Sequence, residues 1–132
     1  MKKILLFLLI GGGLLMAASC TKRYDTVIPN QTVYKDIAPA AWTSADTNKT
    51  YTTVIPAGAL GSFGQGQDGV LIYFTFDGGK TYEQIPEVYN NISFTYTITA
   101  GEIVLYAQSA NGAQTITPPI ALTAKIVLVP SN

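Results

Sequence analysis

Apolar and polar side chains alternate along most of the chain beyond residue 30, and this period of two is the pattern of β-strands. The clearest run, 92–99 (ISFTYTIT), places apolar or aromatic side chains on one face and hydroxyl side chains on the other. A sheet with one buried and one wet face produces such a run. In this part of the chain, no window longer than ten residues has a helical apolar spacing free of glycine and proline. We therefore expect a β protein with little or no helix.

Turn residues divide the chain into segments with the composition of strands. Glycine-containing turns at 77–79 and 100–101 predict two β-hairpins, and Asn90-Asn91 predicts a further turn. The first strand of the first hairpin is apolar almost throughout, which predicts a central strand covered on both faces. The strands are expected at 32–37, 49–55, 69–77, 81–85, 92–99, 102–109 and 121–129.

About seven strands with turns roughly every 8 to 12 residues predict a two-layer antiparallel β-sandwich, immunoglobulin-like or similar, over residues 31–132. Its core is large enough to need no disulfide. We expect this core to contain Ile72, Phe74, Phe76, Ile92, Phe94, Ile98, Leu105, Ile126 and Leu128. Lys125 is expected to point outward from the last strand, where a charge discourages edge pairing. No internal repeat of useful length is evident.

The first twenty residues have the order of a bacterial secretion signal. Two lysines precede an apolar stretch, 4–16, which is too short to span a hydrocarbon core of about 30 Å comfortably as a permanent helix. Small residues follow and end directly in a cysteine. This order predicts a signal peptide over 1–19, with cleavage between Ser19 and Cys20.

The segment MAASC at 16–20 resembles the bacterial lipobox, with Ala17 where leucine is usual. The resemblance implies a diacylglycerol on the Cys20 thiol and acylation of its amine, which together give durable membrane anchoring. A plain secretory signal followed by a chance cysteine is the alternative. We expect a lipid-anchored envelope protein with a tether over 20–30, on the outer membrane. The periplasmic side is favoured over the exterior, which remains the alternative, since no acidic run follows the cysteine.

Composition removes much of the chemistry that could otherwise be proposed. The chain has no histidine and one cysteine, which excludes a Ser-His-Asp triad, a Cys-His pair, an intrachain disulfide and a multi-cysteine metal cluster. Basic and acidic side chains number eight each, and no basic run is present. Nucleic acid binding needs clustered lysine and arginine, so it is not expected. We also expect no cofactor, no metal site and no catalytic residue.

One local pattern is sharper than the rest, the octapeptide TFDGGKTY at 75–82. It resembles the Asp-box, S/T-x-D-x-G-x-T-W/F/Y, of bacterial sialidases and several other β proteins. In such a turn, Asp77 accepts backbone N–H groups, Gly79 takes a positive φ and the aromatic residue packs beneath. A single copy in so short a chain leaves no room for a sialidase propeller. We therefore expect Asp77, Gly79 and Thr81 to form a structural turn.

Residues 40–130 resemble small uncharacterised lipoproteins of bacteroidete-type bacteria. The resemblance rests on Cys20, Trp42, the VIP segment at 54–56, the GVLIY strand at 69–73, the IP pair at 85–86 and the closing IVLVP at 126–130. It implies a compartment and a β fold, and it adds no mechanism.

Three aromatic residues are candidates for ligand binding. Tyr73 and Tyr106 fall on faces opposite the main apolar rows, and Trp42 lies in a predicted loop. Sugar- and protein-binding sandwiches use exposed rings of this kind, because tyrosine and tryptophan combine apolar area with a polar tip. In the competing interpretation, Trp42 caps one end of the core and the tyrosines cover the second sheet face.

We expect a non-catalytic binding or structural module of the cell envelope that engages a glycan or an envelope protein. The alternative is a small hydrolase that uses carboxylates alone, since a glycosidase needs two carboxyl groups about 5 to 9.5 Å apart in a cleft. Its candidates are Asp68, Asp77, Glu83 and Glu87. A small sandwich offers no evident deep cleft, so we expect these four on the solvated surface.

Overall fold

The computed structural model describes residues 29–60, 69–99 and 101–130. They form two four-stranded sheets that pack face to face, and every neighbouring pair of strands is antiparallel. The strands are β1 (Gln31–Ile37), β2 (Thr50–Pro56), β3 (Gly69–Thr75), β4 (Glu83–Gln84), β5 (Glu87–Tyr89), β6 (Ile92–Thr99), β7 (Glu102–Ser109) and β8 (Leu122–Val129). Two 3-10 helices, Pro39–Ala41 and Ala57–Leu60, are the helical elements within the described ranges. The predicted all-β sandwich is confirmed.

The strand order places late strands at the centre of both sheets. Sheet A has the order β1-β8-β3-β4, and sheet B has the order β2-β7-β6-β5. In an immunoglobulin domain the first two strands lie side by side in one sheet. Here β1 and β2 lie in opposite sheets, so the order differs from the immunoglobulin order that the sequence suggested as one possibility.

All seven predicted strands are present, with ends within two residues of the expected positions. The strand that the sequence did not predict is β5, whose three residues are too short to show an alternation. Asn90 and Asn91 join it to β6 with φ values of 48° and 62°. Positive φ at both central residues is the geometry of a tight hairpin turn, as the asparagine pair predicted.

The inward faces of β3, β7 and β8 form the centre of the core. The buried side chains of these strands are Val70, Ile72, Phe74, Ile103, Leu105, Ala107, Leu122, Ala124, Ile126 and Leu128. Phe94 joins them from β6, while Phe76 and Ile92 are partly buried against the cluster. Ile98 was expected in the core, and that prediction is wrong, because its side chain is 46% exposed. β5 pairs with β6 only from Ile92 to Phe94, so the second half of β6 has no neighbouring strand on that side among the described residues.

Two predictions about the outer face of sheet A also need correction. β3 is not covered on both sides, since Leu71 is 37% exposed and Tyr73 is only half-buried. Lys125 does point outward, as expected, but β8 is a central strand rather than an edge. Its charge therefore does not guard a free edge, and its role must come from the side chains around it.

The turn between β3 and β4 is built around one carboxylate oxygen. Asp77 Oδ1 accepts the backbone N–H groups of Lys80 and Thr81, each at 3.0 Å, and the Thr75 hydroxyl at 2.8 Å. The Thr75 hydroxyl oxygen in turn accepts the N–H of Gly79 at 3.0 Å. Gly79 has a φ of +91°, and a Cβ there would lie 3.3 Å from the Tyr82 hydroxyl. Glycine suits this position because it takes a positive φ without strain and places no Cβ against the Tyr82 hydroxyl.

The same turn occurs a second time before β2, in the octapeptide SADTNKTY at 44–51. Asp46 Oδ1 accepts the N–H groups of Lys49 at 3.1 Å and Thr50 at 2.8 Å, together with the Ser44 hydroxyl at 3.0 Å. The Ser44 hydroxyl oxygen accepts the N–H of Asn48 at 3.0 Å. Each of these four bonds has its equivalent in the turn at 75–82. The chain therefore repeats an eight-residue turn, which is shorter than the repeats of about 20–50 residues that the sequence analysis considered.

A looser third version follows β7. The Ser109 hydroxyl donates to Asn111 Oδ1 at 2.8 Å, and this oxygen also accepts the N–H of Ala113 at 3.1 Å. A backbone hydrogen bond links the segment after this third turn to the turn at 44–51, because the N–H of Ile116 donates to the carbonyl of Asn48 at 2.8 Å. An amide oxygen can thus replace the carboxylate as the acceptor at the centre of this kind of turn.

The two closest copies of the turn predict a stabilising substitution. Thr47 corresponds to Gly78 and has a φ of 61°, a conformation that costs a β-branched residue about 1–2 kcal/mol. Thr47→Gly removes this strain. Part of the gain in stability is lost, because glycine raises the conformational entropy of the unfolded chain. We expect the free energy of unfolding in urea to rise by about 0.5–1 kcal/mol. Ala45→Gly, two residues earlier in the same turn, is the control and is expected to lower it.

The second prediction concerns acid. Hydrogen bonds from the Thr81 backbone and the Thr75 hydroxyl lower the pKa of Asp77 from 3.8 to about 2. A lowered pKa contributes stability that is present above pH 3.8 and is lost as the pH falls through about 2. Asp77→Asn keeps the acceptor oxygen and removes the titration. We therefore expect the unfolding free energy of this variant to fall less than that of the wild type between pH 5 and pH 2.

Asp77→Ala is the matched control, because it removes the acceptor and should destabilise the protein at every pH. Part of the acid dependence should remain in Asp77→Asn, since the Thr50 and Lys49 backbones and the hydroxyls of Thr50 and Ser44 lower the pKa of Asp46 as well. An Asp77→Asn profile parallel to the wild-type profile would contradict the assignment.

Candidate functional site

Strand register brings three side chains together on the outer face of sheet A. Lys125 on β8 is paired directly with Tyr34 on β1 and with Tyr73 on β3. Directly paired residues of antiparallel strands project on the same face, with Cβ atoms about 4.5–5.5 Å apart. The Lys125 ammonium lies 5.6 Å from the centre of the Tyr73 ring. Lys125 therefore takes the middle position in a row of three residues on three neighbouring strands, with a tyrosine on each side.

The turn between β3 and β4 adds a third ring to this row. The Lys125 ammonium lies 5.4 Å from the centre of the Tyr82 ring, within the range of a cation–π interaction. Tyr82 also meets Tyr34 edge to face, with ring centres 6.4 Å apart. We refer to Tyr34, Tyr73, Tyr82 and Lys125 as the tyrosine cluster. Tyr34 is 58% exposed and Tyr82 is 37% exposed, so the cluster offers ring surface to solvent.

The tyrosine cluster contains one residue that the sequence singled out as a candidate for binding. Tyr73 was expected on an outward face, and it lies there. Tyr34 and Tyr82 were not recognised as candidates, and Lys125 was assigned to edge protection. The signal that could have found them is the pairing register, because it places positions 34, 125 and 73 in one row although they are far apart in sequence.

The other two aromatic candidates lie elsewhere. Tyr106 is on the outer face of sheet B, where its hydroxyl is 3.2 Å from the Thr97 hydroxyl, so it cannot act with Tyr73. Trp42 is 4% exposed and packs against Phe94 with ring centres 6.4 Å apart. The proposal of Trp42 as a ligand-binding ring needs correction, because a buried ring presents no face to a ligand. The competing interpretation, a tryptophan that caps the core, describes its position.

The carboxylates Glu83 and Glu87 form a second candidate site at the edge of the sandwich between β4 and β5. Register pairs Glu83 with Phe74 and Glu87 with Phe94, and both phenylalanines are core residues. The two carboxylates therefore point inward from opposite sheets and are half-buried. The expectation of solvated surface is wrong for this pair.

A cavity of about 180 Å³ lies beside the pair and is lined by Phe76, Asp77, Thr81, Glu83 and Tyr89. Phe76 and Tyr89 stack with ring centres 4.0 Å apart and form its apolar wall. Asp77 contributes a carboxylate whose Oδ1 is already engaged by the turn. The cavity thus brings two of the four candidate carboxylates of the hydrolase hypothesis to one wall.

Glu83 and burial favour the protonated form of Glu87. Burial and the neighbouring Glu83 carboxylate raise the pKa of Glu87. Among the described residues, Glu87 Oε1 has no hydrogen-bond donor. Two ionised carboxylates are both acceptors and cannot bond to each other, whereas a proton on Glu87 supplies a donor to Glu83. The contact is therefore best satisfied when Glu87 is protonated.

This arrangement predicts that Glu87→Gln stabilises the protein at neutral pH. A raised pKa contributes stability that is present below the ordinary value of 4.5 and is lost as the pH rises through the folded-state pKa. The glutamine amide donates to Glu83 at any pH. We expect a higher unfolding free energy than that of the wild type at pH 7, with the difference shrinking towards pH 4. Glu102→Gln, on the outer face of sheet B, is the control and should not reproduce this profile.

Several predicted features lie outside the described residues. They are the lipid attachment site Cys20, the cleavage-site residue Ser19 and the candidate carboxylate Asp68. Within the described part of the chain, no helix is long and apolar enough to cross a membrane. The same residues contain no group of three histidine, cysteine or acidic side chains that could hold a metal ion.

Comparison with known proteins gave no match. No family model matches the chain, and no curated protein or solved structure is significantly similar to it. The arguments for function therefore rest on the residues and their geometry.

Proposed function

We propose that the protein is a non-catalytic, lipid-anchored module of the bacterial cell envelope that binds glycans through the tyrosine cluster. The observation that carries the proposal is a group of three tyrosine rings on one outer sheet face, two of which contact the Lys125 ammonium while Tyr34 meets Tyr82. Tyr34 is 58% exposed and Tyr82 is 37% exposed. A tyrosine ring offers an apolar surface to the C–H face of a sugar, and its hydroxyl can form hydrogen bonds with sugar hydroxyls. Two of the rings stand on strands, which hold them in place before a ligand arrives.

The predicted anchor supports a ligand near the membrane surface. Cys20 is the predicted lipid attachment point, and β1 begins at Gln31. Eleven residues reach at most about 35–40 Å when fully extended. Tyr34 of the tyrosine cluster lies on β1. A glycan bound by the cluster is therefore no farther from the bilayer than the length of the extended tether plus the diameter of one small domain.

The test is a glycan array, followed by titration calorimetry on each glycan that binds. The purified wild-type protein is compared with Tyr34→Ala and Tyr82→Ala, whose side chains are exposed, so both variants should fold. Tyrosine is enriched among the few contact residues whose removal costs the most binding free energy, so we expect affinity to fall about tenfold in each variant. Tyr106→Ala, on the outer face of sheet B, is the matched control and should bind like the wild type.

Two results would contradict this proposal. Wild-type affinity in both cluster variants would show that the bound glycan lies elsewhere on the molecule. Capture of an envelope protein by the wild type, with no glycan bound on the array, would assign the protein to protein recognition instead.

The second candidate function is a small carboxylate-dependent hydrolase. The observation that favours it is the cavity lined by Asp77 and Glu83, with Glu87 next to Glu83. The pKa of Glu87 is raised, and that of Asp77 is lowered to about 2. Carboxyl groups whose pKa values are pushed apart are typical of an acid and base pair. The cavity of about 180 Å³ is, however, smaller than the roughly 300–1,000 Å³ of most ligand sites. Turnover of a glycoside by the wild type, lost in folded Glu87→Gln, would favour this function over binding.

A further inference from the structure

We infer that the glycans recognised by the tyrosine cluster are anionic, with a sugar carboxylate held by Lys125. This inference rests on the proposed function and narrows it to one chemical class, chains that contain uronic acids or other carboxylated sugars. It is carried by the position of Lys125 in the middle of the row and by the lack, among the described residues, of a carboxylate that neutralises it.

Lys125 is the cation at the middle of the row. Its ammonium contacts the faces of Tyr73 and Tyr82 at 5.6 Å and 5.4 Å, and within the described part of the chain it forms no ion pair. The acidic residue nearest along β1 on the same face is Asp36, whose Oδ1 accepts the Thr123 hydroxyl at 2.7 Å. Asp36 is paired with Thr123 rather than with Lys125, so no carboxylate lies directly opposite the ammonium in its row.

Covering this ammonium with a neutral sugar would remove water from a charge without replacing it by a counter-charge. An unpaired charge is costly to bury, whereas a charge that gains a hydrogen-bonded partner of opposite sign is compensated. A sugar carboxylate supplies such a partner and forms a charge-assisted hydrogen bond, which is about twice as strong as a neutral one. The binding surface therefore discriminates in favour of an anionic ligand.

The spacing of the row fits a chain that runs across the strands. Tyr34 on β1 and Tyr73 on β3 flank β8, so their backbones are two strand spacings apart, about 9–10 Å. Lys125 lies between them. A glycan that contacts both tyrosines therefore crosses β8 at Lys125, and a carboxylate on the sugar between them comes within reach of the ammonium beside Tyr73.

The experiment measures retardation of the purified protein in native gels that contain polygalacturonate, alginate or dextran. Fully methyl-esterified polygalacturonate is the matched ligand, because it keeps the sugar chain and neutralises its carboxylates. We expect retention by at least one polyuronate, about tenfold weaker retention by its ester, and weakening by added salt. Lys125→Gln should remove the preference for the acid form, while Lys125→Arg should keep it. Lys49→Gln, before β2, controls for the loss of one positive charge elsewhere.

The possible outcomes separate this inference from the proposed function. Equal retention by the acid and its ester, or an acid preference that survives in Lys125→Gln, overturns the inference and leaves glycan binding standing. Binding of neutral glycans alone on the array likewise overturns the inference and leaves glycan binding standing. If neither the gels nor the array detect any glycan, both the inference and the proposed function fail. Thermal unfolding of each variant establishes that loss of binding is not loss of fold, since Lys125 lies outside the core.

Discussion

The pairing of β8 with both β1 and β3 is the interaction on which most of the molecule depends. On its inner face, β8 contributes Leu122, Ala124, Ile126 and Leu128 to the core. On its outer face, the same strand places Lys125 between Tyr34 and Tyr73. Because side chains alternate along a strand, a shift of one residue in this register would expose the core residues and bury the lysine. The core and the candidate site are therefore set by one register.

A second constraint acts at the turns that precede β2 and follow β3 and β7. In each of them a hydroxyl and a carboxylate or amide oxygen take up backbone N–H groups that have no partner in a sheet. Unpaired backbone groups are costly wherever water is excluded, and these side chains supply the hydrogen-bond acceptors that the strands do not provide. The turn at 75–82 also connects the two sites, because it holds Tyr82 over Lys125 and Asp77 at the wall of the cavity.

Alternation and turn residues in the sequence were enough to predict the fold class and seven of the eight strands, because burial on one face imposes the alternation directly. It was not enough for Ile98 or Trp42, since their exposure depends on which strands lie beside and above them. The repeated turn was not recognised in the sequence, because Asn48 stands in place of Gly79 in one copy and Asn111 stands in place of Asp77 in another. Each asparagine nevertheless has the structural role of the residue that it replaces. The site was missed for a third reason: its residues meet only through strand register, which a single sequence does not show.

The central place of the last strand has a consequence for how the chain is made. Sheet A cannot close until residues 122–129 are available to separate β1 from β3, and β7 plays the same part late in sheet B. A chain leaving the ribosome therefore holds no finished sheet until nearly all of it has been synthesised. Such a polypeptide remains incompletely folded during synthesis. That state is compatible with the predicted export signal, because an exported chain must cross the membrane before it folds.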